Sequence, residues 1–336
     1  MNADDPKQSG YALVREMLEA PEMVRRLDLK RITSFAERVR GSSVLLSGEG
    51  SSRIFPAKKT IADSLRRGYR DRLFTEGATQ AREYDLRGTD VFIASNSGRT
   101  KEGVRLLAHL RSAGCALAIG VVANPGTPLA EEPDFSYLLS CGPEKAVAAT
   151  KSVLEQALFY DILFRARSGA ELPDLRKLAD LMDEALRAEV PAEIVEALAG
   201  ARTLYWAGRN DGVAEELTLK TNEIARKKSD FLEGTYAVHG IEEVLEGSDA
   251  LVVVDPFREE EAKFEEVLVK GAGIRVVAIA HRETRFPALR VPSYGDFSPY
   301  LQLCAGWNLL VATGLALGVD LDHPLRARKI GNEFVS

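Results

Sequence analysis

Two short segments carry the residue types of an oxyanion cradle, Ser47-Gly48-Glu49-Gly50-Ser51-Ser52-Arg53 and Ser95-Asn96-Ser97-Gly98-Arg99-Thr100. In each, glycines let the backbone turn tightly, hydroxyls supply short donors, and the residues that follow have helical periodicity. A helix start offers unpaired N–H groups and the positive end of a dipole, so each turn suits a tetrahedral anion. Serines at such turns also cap helices, but two matching turns argue for a ligand more strongly than either alone. Arg53 and Arg99 add a cation beside each turn and are candidate additional anion contacts. A third region runs from Lys220-Thr221-Asn222-Glu223-Ile224-Ala225 to Val238-His239-Gly240 and holds a carboxylate and an imidazole, the groups of general acid and base chemistry. Val213, Leu217 and Ile224 mark the apolar stripe of a helix, which puts Glu223 at its border. By residue type alone, Glu223 reads as a surface carboxylate and His239 as a loop residue.

The elements that must position these groups follow from periodicity. Short apolar runs at 44–47, 73–75, 91–94, 117–122 and 135–139 read as strands, and helical patterns such as 99–111 lie between them. A long helix is expected over 144–166, followed by helices at 175–187 and 192–198. The alternation then restarts with strands at 204–207, 230–232, 250–255, 276–280 and 289–291, and ends in a helix at 299–317. Strands covered on both faces and joined by crossover helices make parallel sheets. The expected fold is therefore α/β, two tandem flavodoxin-like three-layer α/β/α domains, each with a five-stranded parallel sheet of order 2-1-3-4-5. The expected boundaries are 1–28 for an N-terminal helical segment, 29–187 and 188–318 for the domains, and 319–336 for an extended tail. In that strand order the first and third strands are neighbours, so both anion turns open onto one crevice.

The second half repeats the strands without the turns. It has Gly208-Arg209-Asn210-Asp211-Gly212 after its first strand and Asp255-Pro256 after its third, where an acid repels phosphate and a proline lacks an N–H. This half is expected to supply catalytic groups, not an anion site. The rival reading, a dinucleotide site, is disfavoured: Gly48-x-Gly50 begins a GxGxxG pattern and Glu76 ends the second strand, but the pattern fails at its third glycine, where Arg53 stands.

The chain's 336 residues, 45% hydrophobic and 28% charged, allow two full cores. A net charge of −6 with no basic stripe argues against nucleic acid as a partner. The longest apolar run, 309–319, is too short and too interrupted to cross a membrane, and the acidic start Met1-Asn2-Ala3-Asp4-Asp5 is unlike a secretion signal, so a cytoplasmic location is expected. Cys115, Cys141 and Cys304 have no metal-ligand spacing and read as small buried hydrophobes.

The two halves together resemble the double sugar-isomerase (SIS) domain family, which includes the isomerase half of glucosamine-6-phosphate synthase, amino-sugar-6-phosphate deaminases and aldose-ketose isomerases. Ser95-Asn-Ser-Gly-Arg-Thr100 resembles the family's S-x-S-G-x-T phosphate loop, Gly50-Ser51-Ser52 is similar to its first G-[TS]-S loop, and Glu144 to Lys151 resembles its E-x-x-V-A-[AS]-T-K helix start. The resemblance extends over residues 25–330. It implies that Gly50, Ser51, Ser52, Ser95, Asn96, Ser97 and Thr100 bind the 6-phosphate of a sugar and that Val147 and Ala148 border the sugar. It places the family's catalytic glutamate on Glu223, its ring-opening histidine on His239, and its C-terminal lysine on Lys329, with Asp322 and Pro324 of the D-x-P tail present. Because that histidine comes from a neighbouring subunit in the family, the resemblance also implies a homodimer with a shared site. Val238 and Ile241 replace the family's usual lysine and proline around the histidine-glycine pair.

The implied reaction is aldose-ketose isomerisation of a hexose 6-phosphate or amino-hexose 6-phosphate through an enediol or enolamine. A carboxylate held partly out of water suits the proton transfer, a gripped phosphate supplies orientation, and neither metal nor cofactor is required. Release of ammonia by an amino-sugar-6-phosphate deaminase and phosphosugar binding without turnover are the alternatives. The two arginines also leave a C6 sulfonate open as the anion. Glutamine-dependent synthesis is not expected, because no amidotransferase region or cysteine nucleophile follows Met1.

Overall fold

A computed structural model describes residues 1, 2, 4–326 and 333. Among the described residues the strands form two parallel five-stranded sheets. The first contains β1 (Ser43–Gly48), β2 (Arg72–Gly77), β3 (Asp90–Ser95), β4 (Leu117–Val122) and β5 (Phe135–Leu138) in the order β2-β1-β3-β4-β5. The second contains β6 (Thr203–Gly208), β7 (Lys228–Glu233), β8 (Ala250–Val254), β9 (Arg275–Ala280) and β10 (Ala288–Arg290) in the order β10-β9-β8-β6-β7. The second order is the first one reversed in listing, so both sheets have the 2-1-3-4-5 arrangement. Register places Gly48 beside Ala94, which brings the turns after β1 and β3 side by side.

The unbroken apolar runs are explained by what each strand face meets. On β3, Val91 and Ile93 join a buried cluster with Leu106, Leu107 and Leu110 of the helix Lys101–Ala113. Phe92, between them, points the other way and meets the rings of Phe159, Tyr160 and Phe164 on the helix Lys151–Ser168. Such ring pairs add about 0.5–1.5 kcal/mol each beyond their burial. The helices at Ile54–Arg67 and Lys151–Ser168 also share a buried ionic cluster, in which Lys59 and Arg165 pair with Asp63 and Asp161 at 0–1% exposure. In the second sheet, Leu251 and Val253 pack with Phe264, Leu268 and Phe286. The helix Ser298–Ala316 is buried along nearly its whole length. No helix among the described residues is long and apolar enough to cross a membrane.

Two expectations need correction. The helix expected from residue 144 begins at Lys151, and 144–150 is irregular. Side-chain acceptors take the N–H groups that a helix start would leave facing inward: Glu144 accepts from Thr150 N at 2.7 Å, and Glu16 accepts from the N–H groups of Lys145 and Ala146. Cys115 is only partly buried, unlike Cys141 and Cys304.

The chain divides into two compact units that interleave in sequence. The N-terminal unit contains Glu22–Glu144 and Ala149–Leu175, and Glu333 belongs to it. The C-terminal unit contains Met1–Pro21, Lys145–Ala148 and Arg176–Ala327.

Candidate active site

In the N-terminal unit, β1 runs into a short turn at Gly50–Ser52 and then the helix Ile54–Arg67. A side chain on Gly48 would meet Ala94 O at 2.9 Å, so only glycine lets the two turns approach this closely. The second turn follows β3. Ser95 Oγ lies 2.7 Å from Thr100 Oγ1 and accepts the N–H of Gly98 at 3.0 Å, while Ser97 Oγ accepts the N–H of Arg99 at 3.1 Å. Gly98 has φ +68°, and a Cβ there would collide with Thr127. Neither the helix at Ile54 nor the helix at Lys101 receives a side-chain cap. The N-cap residues Arg53 and Thr100 themselves make no side-chain cap bond, and the positive end of each helix dipole faces its turn. Ser51, Ser52, Asn96, Ser97, Arg53, Arg99 and Thr100 are all partly exposed, whereas Ser95 is buried beneath them.

A residue outside the anion turns holds this arrangement together. Glu144 accepts four hydrogen bonds, from Asn96 Nδ2 at 2.7 Å, Ser152 Oγ at 2.6 Å, Thr150 N at 2.7 Å and Thr150 Oγ1 at 3.1 Å. It thereby ties the second anion turn to the start of the helix Lys151–Ser168. Glu49 accepts the N–H of Ala78 at 2.9 Å. Burial pushes its carboxyl above the usual carboxylate range, the nearby charge of Glu102 adds to the rise, and the backbone bond opposes it.

In the C-terminal unit, Glu223 sits in a five-residue π-helical turn, Thr221–Ala225, directly after the helix Val213–Lys220. Turns of this kind cost stability and are frequent at functional sites. Here Thr221 anchors the turn: its hydroxyl donates to Leu217 O at 2.7 Å and accepts from the indole Nε1 of Trp206 at 2.7 Å, in a fully buried contact. Glu223 is 23% exposed, the border position its spacing predicts, and its Oε2 accepts from Lys220 Nζ at 2.8 Å. Lys220 is 0% exposed and lies 3.4 Å from the equally buried Glu216. Lys220 and Glu216 carry no motif that marks them in the sequence, although the i, i+4, i+7 spacing of Glu216, Lys220 and Glu223 places them on one helix face.

His239 ends a short turn at Tyr236–Val238 and is exposed. Ala148 is buried and Val147 partly exposed; both lie in the segment that belongs to the C-terminal unit. Lys329 lies outside the described residues. Further along the tail, Glu333 forms an isolated antiparallel bridge with Thr100 in the second anion turn. The structure thus gathers the residues expected to bind the anion within one unit and Glu223 with Lys220 in the other.

Comparison with known proteins matches residues 86–166 to the SIS domain. The chain is 29% identical over 270 residues to a glutamine–fructose-6-phosphate aminotransferase (isomerizing) of Aeropyrum pernix, a match covering 72% of this chain and 43% of that protein. The chain therefore corresponds to less than half of the curated relatives it matches. Among solved structures, tagatose-6-phosphate ketose/aldose isomerase of Escherichia coli superposes with a TM-score of 0.79 at 17% identity, covering 96% of this chain and 99% of that one. Glucosamine-6-phosphate deaminase of Thermotoga maritima superposes with a TM-score of 0.77 at 17% identity, covering 95% and 99%. The sequence match relates the chain to SIS-domain enzymes of phosphosugar metabolism, and the structural matches show that it shares their fold.

Proposed function

We propose that the protein is a phosphosugar aldose-ketose isomerase that acts on a hexose 6-phosphate or amino-hexose 6-phosphate. The observation that carries this reading is the pair of hydroxyl-bearing turns at neighbouring strand ends, formed by Ser51, Ser52, Ser95, Asn96, Ser97 and Thr100 and each leading into a helix. Such a cradle grips the remote phosphate and turns that binding energy into orientation of the reacting carbons. Arg53 and Arg99 add positive charge at the rim, which also suits a C6 sulfonate.

Glu223 takes the C2 proton of the open-chain aldose while the C1 carbonyl oxygen gains a proton, giving the enediol. The O2 hydroxyl then loses its proton as the C2 carbonyl forms, and Glu223 returns its proton to C1. Lys220, donating to Oε2, fixes the carboxylate and leaves Oε1 for the transfer. His239 assists ring opening and Lys329 stabilises charge on the carbonyl oxygen. The protein works as a homodimer in which His239 serves the neighbouring subunit, and Val147 and Ala148 border the sugar.

Exchange of the C2 proton with deuterated water, measured over a panel of hexose 6-phosphates, amino-hexose 6-phosphates and C6 sulfonates, tests the reading. Glu223→Gln is expected to lower exchange at least about a thousandfold with sugar-phosphate affinity nearly intact; retained turnover sinks the assignment. Mixing Glu223→Gln with His239→Ala subunits is expected to restore part of the activity, and no recovery after demonstrated subunit exchange argues against the shared histidine. The second reading is an amino-sugar-6-phosphate deaminase, and ammonia release from amino-hexose 6-phosphates without aldose-ketose conversion selects it.

A further inference from the structure

The helix Ala12–Arg25 precedes both sheets in sequence and has no place in either, yet its N-terminal portion lies in the C-terminal unit and makes two long-range polar contacts there. At its start, the carboxylate of Asp322 accepts the N–H groups of Ala12 at 2.7 Å and Leu13 at 2.9 Å. These are first-turn donors with no partner inside the helix, so a residue 310 positions away acts as the cap. One turn further on, Glu16 is 5% exposed, and its carboxylate accepts the N–H of Lys145 and, at 3.3–3.4 Å, the N–H of Ala146. A nearly buried carboxylate is costly unless donors surround it, and here the donors are the backbone of the irregular segment itself. The base of the tail has a second anchor: the guanidinium of Arg226, the left-handed residue that closes the π-helical turn of Glu223, donates to the carbonyls of Asp320 and, at 2.8 Å, His323.

We infer that the start of the helix Ala12–Arg25 is a positioning strut, in which Asp322 locks the helix to the base of the tail and Glu16 holds Lys145–Ala148 in its irregular course. Through Arg226 the same base is tied to the turn that carries Glu223. Asp322 and Glu16 are thus positioning residues that act through backbone they fix, and neither touches the substrate. The functional consequence rests on the reading that Val147 and Ala148 border the sugar: loosening the strut weakens the grip on the sugar ring and spares the grip on the phosphate.

Amide hydrogen exchange on the full chain tests the strut without reference to activity. In Glu16→Gln the amide oxygen replaces only part of the acceptor, and exchange at Lys145 and Ala146 is expected to rise about tenfold or more, the loss of roughly one charge-assisted hydrogen bond. Strands β1 and β8 are expected to keep wild-type protection. Asp322→Asn is expected to raise exchange at Ala12 and Leu13 and, through the helix, at Lys145 and Ala146; wild-type protection at 145–146 in this variant overturns the strut. Calorimetry then separates the functional consequence, because Glu16→Gln is expected to weaken glucose 6-phosphate or fructose 6-phosphate about tenfold and to leave inorganic phosphate unchanged. Equal losses for both ligands overturn the positioning role. If exchange behaves as expected and the wild-type chain binds none of these sugars, the strut stands and the phosphosugar reading fails.

Discussion

In the N-terminal unit, the turns after β1 and β3 carry partly exposed hydroxyls at Ser51, Ser52, Ser97 and Thr100; in the C-terminal unit, the side chains of the matching turns after β6 and β8 pair with one another. There Arg209 donates to the Asp255 carboxylate at 2.7 Å and to the Asp255 carbonyl, and its guanidinium lies 4.3 Å from the centre of the Phe257 ring. Asp255 has φ +45°, a left-handed backbone that a non-glycine residue adopts at a cost and that this pairing holds in place. One strand order thus ends in partly exposed hydroxyls in one unit and in an arginine–aspartate pair in the other. Charge follows the same division: Glu22–Glu144 and Ala149–Leu175 together hold 22 Lys and Arg against 19 Asp and Glu, while the C-terminal unit holds 20 against 30. The overall −6 conceals a positive balance in the unit that carries the hydroxyl-bearing turns. The lesson is that duplicated topology fixes where a crevice forms, and the side chains at the strand ends decide whether a ligand or the protein itself fills it.

The largest expected effect probes what the acidic unit does with its buried cation. Lys220 stands between Glu216 and Glu223, and Lys220→Met leaves the fully buried Glu216 without that ammonium. Removing one member of a buried ionic group costs about 3–5 kcal/mol. Chemical denaturation is expected to show that loss, together with a collapse of C2 proton exchange. A variant of wild-type stability would show that the lysine is not integral to the acidic unit's core.

An intermediate effect separates the hydroxyl-bearing turns from the arginine–aspartate pair. Ser97→Ala and Thr100→Ala each remove a hydroxyl from the anion cradle and are expected to weaken hexose 6-phosphate about ten- to a hundredfold by calorimetry, as befits a hydrogen bond to a charged group. Arg209→Ala, which breaks the arginine–aspartate pair, is expected to leave that affinity unchanged while lowering stability. Sensitivity of binding to Arg209 with insensitivity to Ser97 and Thr100 would reverse the assignment of the two sets of turns.

The inner strands are legible in the sequence because burial on both faces makes them nearly continuous apolar runs, as in Ala250–Val254, and although β2 and β7 are half-exposed and mixed in polarity, all ten appear within a few residues of the expected bounds. The anion turns were legible for a different reason: glycine and serine at a strand end have few other uses. Contacts that depend on distant residues left little trace. Glu144 reads as the start of a helix because nothing local shows that Asn96 and Ser152 would claim its carboxylate. Asp322 is visible in the sequence only as part of a D-x-P tail and Glu16 has no visible role, since their partners are backbone N–H groups, which carry no residue identity. Lys220 and Glu216 were within reach, because their spacing from Glu223 marks one helix face, but spacing alone does not show that the face is buried.

The smallest expected effect concerns the one acid in the first hydroxyl-bearing turn. Glu49 has its carboxyl raised above the usual range chiefly by burial, so the folded protein binds a proton more readily there than the unfolded chain does. Between the unfolded and folded values, stability therefore falls as pH rises, and the penalty is complete once pH exceeds the folded value. Glu49→Gln keeps an oxygen to accept the N–H of Ala78 and carries no charge. The variant is expected to melt slightly above wild type at pH 7.5 and to lose that advantage as pH falls below the ordinary carboxylate range. Inorganic phosphate is expected to bind it more tightly at pH 7.5, because a negative charge has been removed beside the cradle, with the difference shrinking at high salt. Weaker phosphate binding in the variant would mean that Glu49 supports the turn more than its charge opposes the anion.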